Sequence, residues 1–168
     1  MPSLRIPKET ADQIYFITLT VERWYYIFDR HGRWRLLANS LQHCQHKKDL
    51  EIFAYVFMLN HLHMVCRAPD LSAVLRDFKK FTSKQIMLDI IATEPHVMEL
   101  FPLQNGKRRF WQVTNYPEPM ESERLYCQKV GYIHQNPVRK EYVDLPEHWR
   151  WSSANPHQPI ALADPFAG

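Results

Sequence analysis

Glu51-Ile52-Phe53-Ala54-Tyr55-Val56-Phe57-Met58-Leu59, then Asn60, then His61-Leu62-His63-Met64-Val65-Cys66-Arg67 is the stretch that decides the fold. Both halves are rich in aromatic and β-branched residues, which suits strands. Asn60 is a turn residue, and so short a link folds the two strands into an antiparallel hairpin. Successive strand side chains point to opposite faces. Leu62, Met64 and Cys66 are therefore expected to face a core, and His61, His63, Val65 and Arg67 to face the other way. Two imidazoles on one face of one strand can reach a common metal ion.

Upstream, Tyr15 to Val21 alternates, with Ile17, Leu19 and Val21 on one face and Phe16, Thr18 and Thr20 on the other. That predicts another strand. His31-Gly32-Arg33 leads into a helix marked by Trp34, Leu37, Leu41 and Cys44, with Lys47 and Lys48 complementing the dipole at its C-terminal end. Downstream, Pro69-Asp70 ends the third strand, and Asp70 or Ser72 is placed to cap a helix. Leu71, Val74, Leu75, Phe78 and Phe81 give this helix an apolar face, and Arg76, Lys79, Lys80 and Lys84 a basic stripe. Thr93 to Arg109 reads as an irregular connection and Phe110 to Thr114 as a fourth strand. Glu121 to Gln135 reads as a helix, and Asn136 sits at its end because a proline follows. From Asn155 on, the proline- and alanine-rich residues read as a loose tail. The order strand, helix, two strands, helix, strand, helix predicts an α+β sandwich. One face of its antiparallel sheet packs on two helices, and the other carries the histidines under the helix bearing Tyr132.

The 168 residues suit one catalytic domain, 1–168, with its core at about 15–153. Hydrophobic residues at 45% and aromatics at 13% supply an interior, and 23% charged residues exclude a disordered composition. A net charge of +3 and a pI near 8.8 permit nucleic-acid binding without demonstrating it. The cysteines, Cys44, Cys66 and Cys127, are odd in number and widely spaced. That argues against a disulfide framework or a thiolate zinc site and fits a reducing cytoplasm. The sequence shows no signal-like apolar core and no run long enough to span a bilayer, so a cytoplasmic protein without a membrane partner is expected.

Gly131-Tyr132-Ile133-His134-Gln135-Asn136-Pro137 carries the second chemical signal. Helical residues i and i+4 share a face, so Tyr132 and Asn136 present a phenol and an amide oxygen together. With two imidazoles they suit metal-assisted phosphodiester chemistry. Each part has an ordinary alternative. His-x-His pairs occur on strands for packing reasons, and most tyrosines are packing residues, with Tyr126 and Tyr142 nearby competitors. The stripe on the second helix is equally a solvated face. Lys107-Arg108-Arg109 before Phe110-Trp111 suits a single strand better, because phosphates need charge and bases need stacking surfaces.

Four segments in order, Met58-Leu59-Asn60-His61-Leu62-His63, Arg109-Phe110-Trp111-Gln112, Tyr132-Ile133-His134-Gln135-Asn136-Pro137-Val138-Arg139 and Trp149-Arg150-Trp151-Ser152-Ser153, resemble the REP-associated tyrosine transposases. These are single-tyrosine HUH nucleases of the insertion-sequence type. The resemblance runs from about Tyr15 to Ser153. It implies an RRM-like, ferredoxin-like antiparallel sheet packed with helices, in which His61, His63 and Asn136 hold a divalent ion, Mg2+ or Mn2+. It further implies that Tyr132 attacks a phosphate of single-stranded DNA, leaving a 5′-phosphotyrosine and a 3′-hydroxyl. Hairpin DNA of repeated extragenic palindromes is the implied partner, bound by a monomer or a homodimer. Arg76, Lys79, Lys80, Lys84, Lys107, Arg108, Arg109 and Arg139 are the candidate DNA-binding cations. Two departures stand out. Leu59 occupies a position where the family often has proline, and Arg139-Lys140-Glu141-Tyr142-Val143 replaces a common Arg-Ala-Gly-Leu-Val. Neither removes a proposed catalytic group. Two other functions compete: a non-catalytic hairpin-binding protein of the same fold, and a phosphodiesterase that uses water instead of Tyr132.

Overall fold

A computed structural model describes residues 5–7 and 12–167. Its main sheet has four strands: β1 (Tyr15–Thr20), β2 (Glu51–Phe57), β3 (His61–Arg67) and, after a small separate hairpin, β6 (Glu118–Pro119). The order is β2-β3-β1-β6, antiparallel throughout. The predicted β2–β3 hairpin forms, with Met58, Leu59 and Asn60 as its connection rather than Asn60 alone. The Leu59 carbonyl accepts from the Ile27 and Phe28 amides, at 3.1 Å each, and these contacts draw the end of the expected strand into the turn.

Two helices, α1 (Arg33–Lys48) and α2 (Leu71–Thr93), cover one face. Ile17, Leu19, Leu62, Met64 and Cys66 from the sheet pack there with Leu37, Leu41, Val74 and Phe78. Asp70 is the α2 cap, its carboxylate accepting from the Ala73 amide at 3.0 Å. The third helix, α3 (Glu123–Arg139), lies on the opposite face. Its Ile133 packs with Phe16, Phe53, Ala54, Val56 and Val65. Phe53 and Ala54 are adjacent yet both face α3, because the β2–β3 register shifts between Ile52 and Ala54. A bulge of this kind places one extra residue on a strand.

Four expectations are corrected. α3 runs through Asn136 and Pro137 to Arg139, rather than ending before the proline. Pro137 removes only its own donor, and the Asn136 carbonyl still accepts from the Lys140 amide at 3.1 Å. Phe110 to Thr114 is not a regular strand. Trp111 forms an isolated bridge with Val21, and the paired edge strand is β6. The connection after α2 is only partly irregular, since β4 (Leu103–Gln104) and β5 (Lys107–Arg108) pair across Asn105-Gly106. Both turn residues have positive φ, 51° and 73°, as a tight hairpin turn requires. The C-terminal stretch is packed, not loose. Ile160 is buried, the Ala163 amide donates to the Ile52 carbonyl at 2.8 Å, and the Tyr55 hydroxyl donates to Gln158 Oε1 at 2.7 Å.

No helix among the described residues is long and apolar enough to cross a membrane. A fully buried guanidinium ties the two helices of the first face together. Arg33 donates to Asp89 at 2.7 Å, to Glu94 at 2.8 Å and to the Ile27 carbonyl at 2.9 Å. Removing Arg33 takes the donor from the Ile27 carbonyl and Asp89 and leaves Glu94 with Arg30, at 2.7 Å, as its remaining arginine partner. Arg33→Ala is therefore expected to destabilise the fold by about 3 kcal/mol, read as a lower urea midpoint at an unchanged slope.

Candidate active site

The β3 pleat places His61 and His63 on the α3 side, with ring centroids 4.8 Å apart. Pairing of β1 with β3 sets Thr18 opposite His63, and Thr18 Oγ1 lies 2.8 Å from His63 Nδ1. The Phe16 ring stacks on His63 at 5.3 Å. Asn60 fixes the other imidazole. Its Nδ2 donates to the Trp24 carbonyl at 3.0 Å, which turns Oδ1 towards His61 Nδ1 at 2.7 Å. An amide oxygen only accepts, so His61 carries its proton on Nδ1 and leaves the Nε2 lone pair available.

Burial keeps both rings neutral. Desolvation, assisted by the Lys140 charge, pushes His61 down to about 4. Desolvation, assisted by His61 and the charges of Lys129 and Arg139, pushes His63 down to about 3. Neutral imidazole is the form that ligates metals.

α3 supplies the remaining groups. The Tyr132 ring stands edge-on to His63 at 5.3 Å and to Phe16 at 6.1 Å, and the residue is 40% exposed. The Arg139 guanidinium lies over the Tyr132 ring, 4.2 Å from its centroid, and Lys129 Nζ lies 4.6 Å from that of Phe16. Asn136 is 4% exposed, and among the described residues nothing hydrogen-bonds its side chain. It falls between Tyr132, which touches His63, and Lys140, whose charge acts on His61. Residues four apart share a helix face, so Asn136 lies on the face of α3 that carries Tyr132.

Among the described residues, no three His, Cys, Asp or Glu side chains gather in one place to hold a metal. Two imidazoles and an amide oxygen are the uncharged donors that His61, His63 and Asn136 offer instead. They fit a divalent ion that accepts nitrogen, and Mn2+ suits them better than Mg2+, which prefers oxygen ligands. Arg139 and Lys140, with Lys129 that also pairs with Glu118 at 2.7 Å, put positive charge near the histidines, which suits an incoming phosphate.

The other predicted cations divide between two places. Lys79, Lys80, Lys107, Arg108 and Arg109 line one cleft of about 310 Å³ between α2 and the β4–β5 hairpin, with Phe110 and Trp111. Lys79 is tied down, donating to Gln112 O at 2.8 Å, Asn115 Oδ1 at 2.9 Å and Val113 O at 3.3 Å, and burial pushes it down to about 8. Arg109 Nε lies 3.0 Å from Glu22 Oε1, an ion pair off the line a hydrogen bond needs. Lys84 is exposed and lies outside the cleft, and exposed Arg76 pairs with Asp77 at 3.1 Å. Arg139 alone of the predicted DNA-binding cations stands at Tyr132.

No protein-family model matches the chain, and no curated protein matches it. Among solved structures, one of a REP-associated tyrosine transposase bound to a REP hairpin superposes with a TM-score of 0.66 at 20% identity. The match covers 100% of this chain and 97% of that one. The two proteins share a fold. The predicted α+β architecture, an antiparallel sheet packed with helices, is thus found in the structure and in this neighbour.

Sequence reasoning missed Asn60 and Thr18 as the groups that orient the imidazoles, and Phe16 and Lys129 as their neighbours. The signal for Thr18 and Phe16 was present, since both fall on the face of β1 away from Ile17 and Leu19.

The depressed histidines have a consequence for stability. Below the unfolded value of about 6.5 the unfolded chain takes up protons that the folded site refuses. The stability they contribute is full above about pH 6.5 and is lost as pH falls towards 4 and then 3. In an NMR titration of the folded protein, both rings should stay neutral at pH 5.5; titration of either near 6.5 would contradict this burial.

Proposed function

We propose that this protein is a metal-dependent single-stranded DNA endonuclease and strand transferase that recognises hairpin DNA, such as repeated extragenic palindromes. The observation that carries the reading is the half-exposed Tyr132 standing against a neutral histidine pair, 5.3 Å from His63. The fold shared with a transposase bound to a REP hairpin supports it. So does the cleft that gathers Lys80, Lys107 and Arg108, a concentration of positive charge suited to phosphates, although Phe110 and Trp111 beneath it are buried in the core and offer no stacking face.

Tyr132 attacks the scissile phosphorus through Oη and loses its proton to solvent. The bond from phosphorus to the 3′ oxygen breaks, and that oxygen leaves as a hydroxyl. The DNA 5′ end remains as a phosphotyrosine, which another 3′-hydroxyl reverses, so no nucleotide cofactor is consumed. Arg139, over the tyrosine ring, holds the phenol and offers its charge to the phosphate. Phe16 packs against both His63 and Tyr132 and buttresses the pair from one flank. His61, His63 and Asn136 would hold Mg2+ or Mn2+, which when bound polarises the phosphate and stabilises developing charge.

A labelled hairpin from DNA beside the protein's own gene, incubated with Mn2+ and run on a denaturing gel, tests the reading. Wild type should give a covalent protein–DNA adduct, and Tyr132→Phe none. Cleavage without an adduct would point to water as the nucleophile. Tight binding with neither would leave a hairpin-binding protein. His61→Ala and His63→Ala should each abolish cleavage while hairpin binding stays largely intact at the level wild type shows without metal.

The donor set carries no charge and has cations around it, so it holds a divalent ion weakly by itself. A phosphodiester supplies the missing negative charge. Mn2+ affinity of Tyr132→Phe, measured by calorimetry, should rise when the hairpin is present, and hairpin affinity should rise with Mn2+ by the same factor. Equal Mn2+ affinity with and without DNA would count against a shared site.

A further inference from the structure

Five tryptophans occur in the chain, and four have packing roles. Trp34 donates its indole N–H to the Met58 carbonyl, Trp149 to the Phe57 carbonyl and Trp111 to Thr82 Oγ1. Trp151 is buried against Trp34 and Phe57. Trp24 differs. It is 57% exposed, and among the described residues its indole N–H has no acceptor.

The backbone that presents Trp24 is unusual. Arg23 and Trp24 both have positive φ, 54° and 60°. Residues other than glycine seldom occupy this region, and two in succession cost free energy that surrounding contacts must offset. Those contacts are visible. The Trp24 amide donates to the Val21 carbonyl at 3.0 Å, and the Trp24 carbonyl accepts from Asn60 Nδ2 at 3.0 Å. The same Asn60 side chain accepts from His61. One amide therefore fastens both the strained turn and an imidazole of the candidate site. The indole stands edge-on to His61, with centroids 6.3 Å apart. Arg23, the preceding residue, is exposed as well.

We infer that Trp24 is a stacking platform for a nucleobase of single-stranded DNA next to the phosphate attacked at Tyr132. An exposed indole held rigidly beside the site gives a flat apolar face at little ordering cost. Arg23 supplies charge for the adjoining phosphate. Stacking on one aromatic tolerates every base, so the platform fixes the position of the strand rather than its sequence. The inference rests on the proposed function, and extends it by naming where the flanking base sits.

The test uses Tyr132→Phe protein, so that binding is read without cleavage. The probe is the same hairpin, unmodified or with a single abasic site at successive positions of its single-stranded flank. Adding Trp24→Ala should weaken binding of the unmodified probe about tenfold, as expected for loss of one base–aromatic stack. Trp24→Phe should restore most of it. At one flank position an abasic probe should bind wild-type Trp24 and Trp24→Ala protein equally, because the stacked partner is already gone. Tryptophan emission should fall on adding the hairpin, and Trp24→Phe should lose much of that quenching while still binding. If Trp24→Ala binds the unmodified hairpin as tightly as its parent, the platform is wrong while hairpin recognition stands. If its loss is the same at every abasic position, no single base stacks there and the platform is again wrong. If the parent protein binds no hairpin at all, both readings fall together.

Discussion

The alternation of side chains along β3 is the constraint on which the rest of the molecule depends. Leu62, Met64 and Cys66 are completely buried among α1 and α2, so their intermediate neighbours have only one place to go. A slip of one residue would exchange the two sets. Burying three such side chains is worth on the order of 5 kcal/mol or more, a large share of the 5–15 kcal/mol typical of a whole domain. Hydrophobic burial on one face thus fixes, indirectly, the position of two polar rings on the other.

Two elements far apart in sequence then meet around those rings. β1 brings Thr18 and Phe16 by strand pairing, and α3 brings Tyr132 and Asn136 by helical spacing. The second core joins them, with Ile133 of α3 packed beside Phe16 and Val65. Ile133 is the immediate neighbour of Tyr132, so the contact that seats the helix also sets the rotation of the phenol. Continuation of α3 past Pro137 matters for the same reason, since it carries Arg139, and Lys140 as the cap, to where their charges reach the histidines.

Much of this was legible because it follows from two periodicities. The faces of β1 and β3, the hairpin, the two helices on one side and the third on the other all come from alternation or from helical spacing. Three parts were harder to read. The edge segments at 110–115 and 151–153 run beside strands through a few backbone bonds, and irregular pairing leaves no periodic trace. The packing of the C-terminal stretch relies on Gln42, Gln45 and Tyr55, polar residues that bond to it across more than 100 positions of sequence. The β4–β5 hairpin did announce itself in Asn105-Gly106, a strong turn dipeptide, but its strands are too short to show alternation. Within the site, the basic residues were visible as types and not as places. Lys79 looks like its neighbours in sequence, yet three oxygens claim it.

Both margins of the sheet are taken by the chain itself. Residues 151–153 and Ala163 bond along β2, where the Phe57 amide donates to the Trp151 carbonyl and the Ser153 amide to the Tyr55 carbonyl at 2.8 and 2.9 Å. On the β1 side, Gln112 and β6 occupy the margin. Unpaired margins are where strands of separate molecules join into continuous ladders. Among the described residues β1 and β2, the strands nearest the two margins, are thus covered by the chain's own segments, which disfavours direct pairing of copies through either of them.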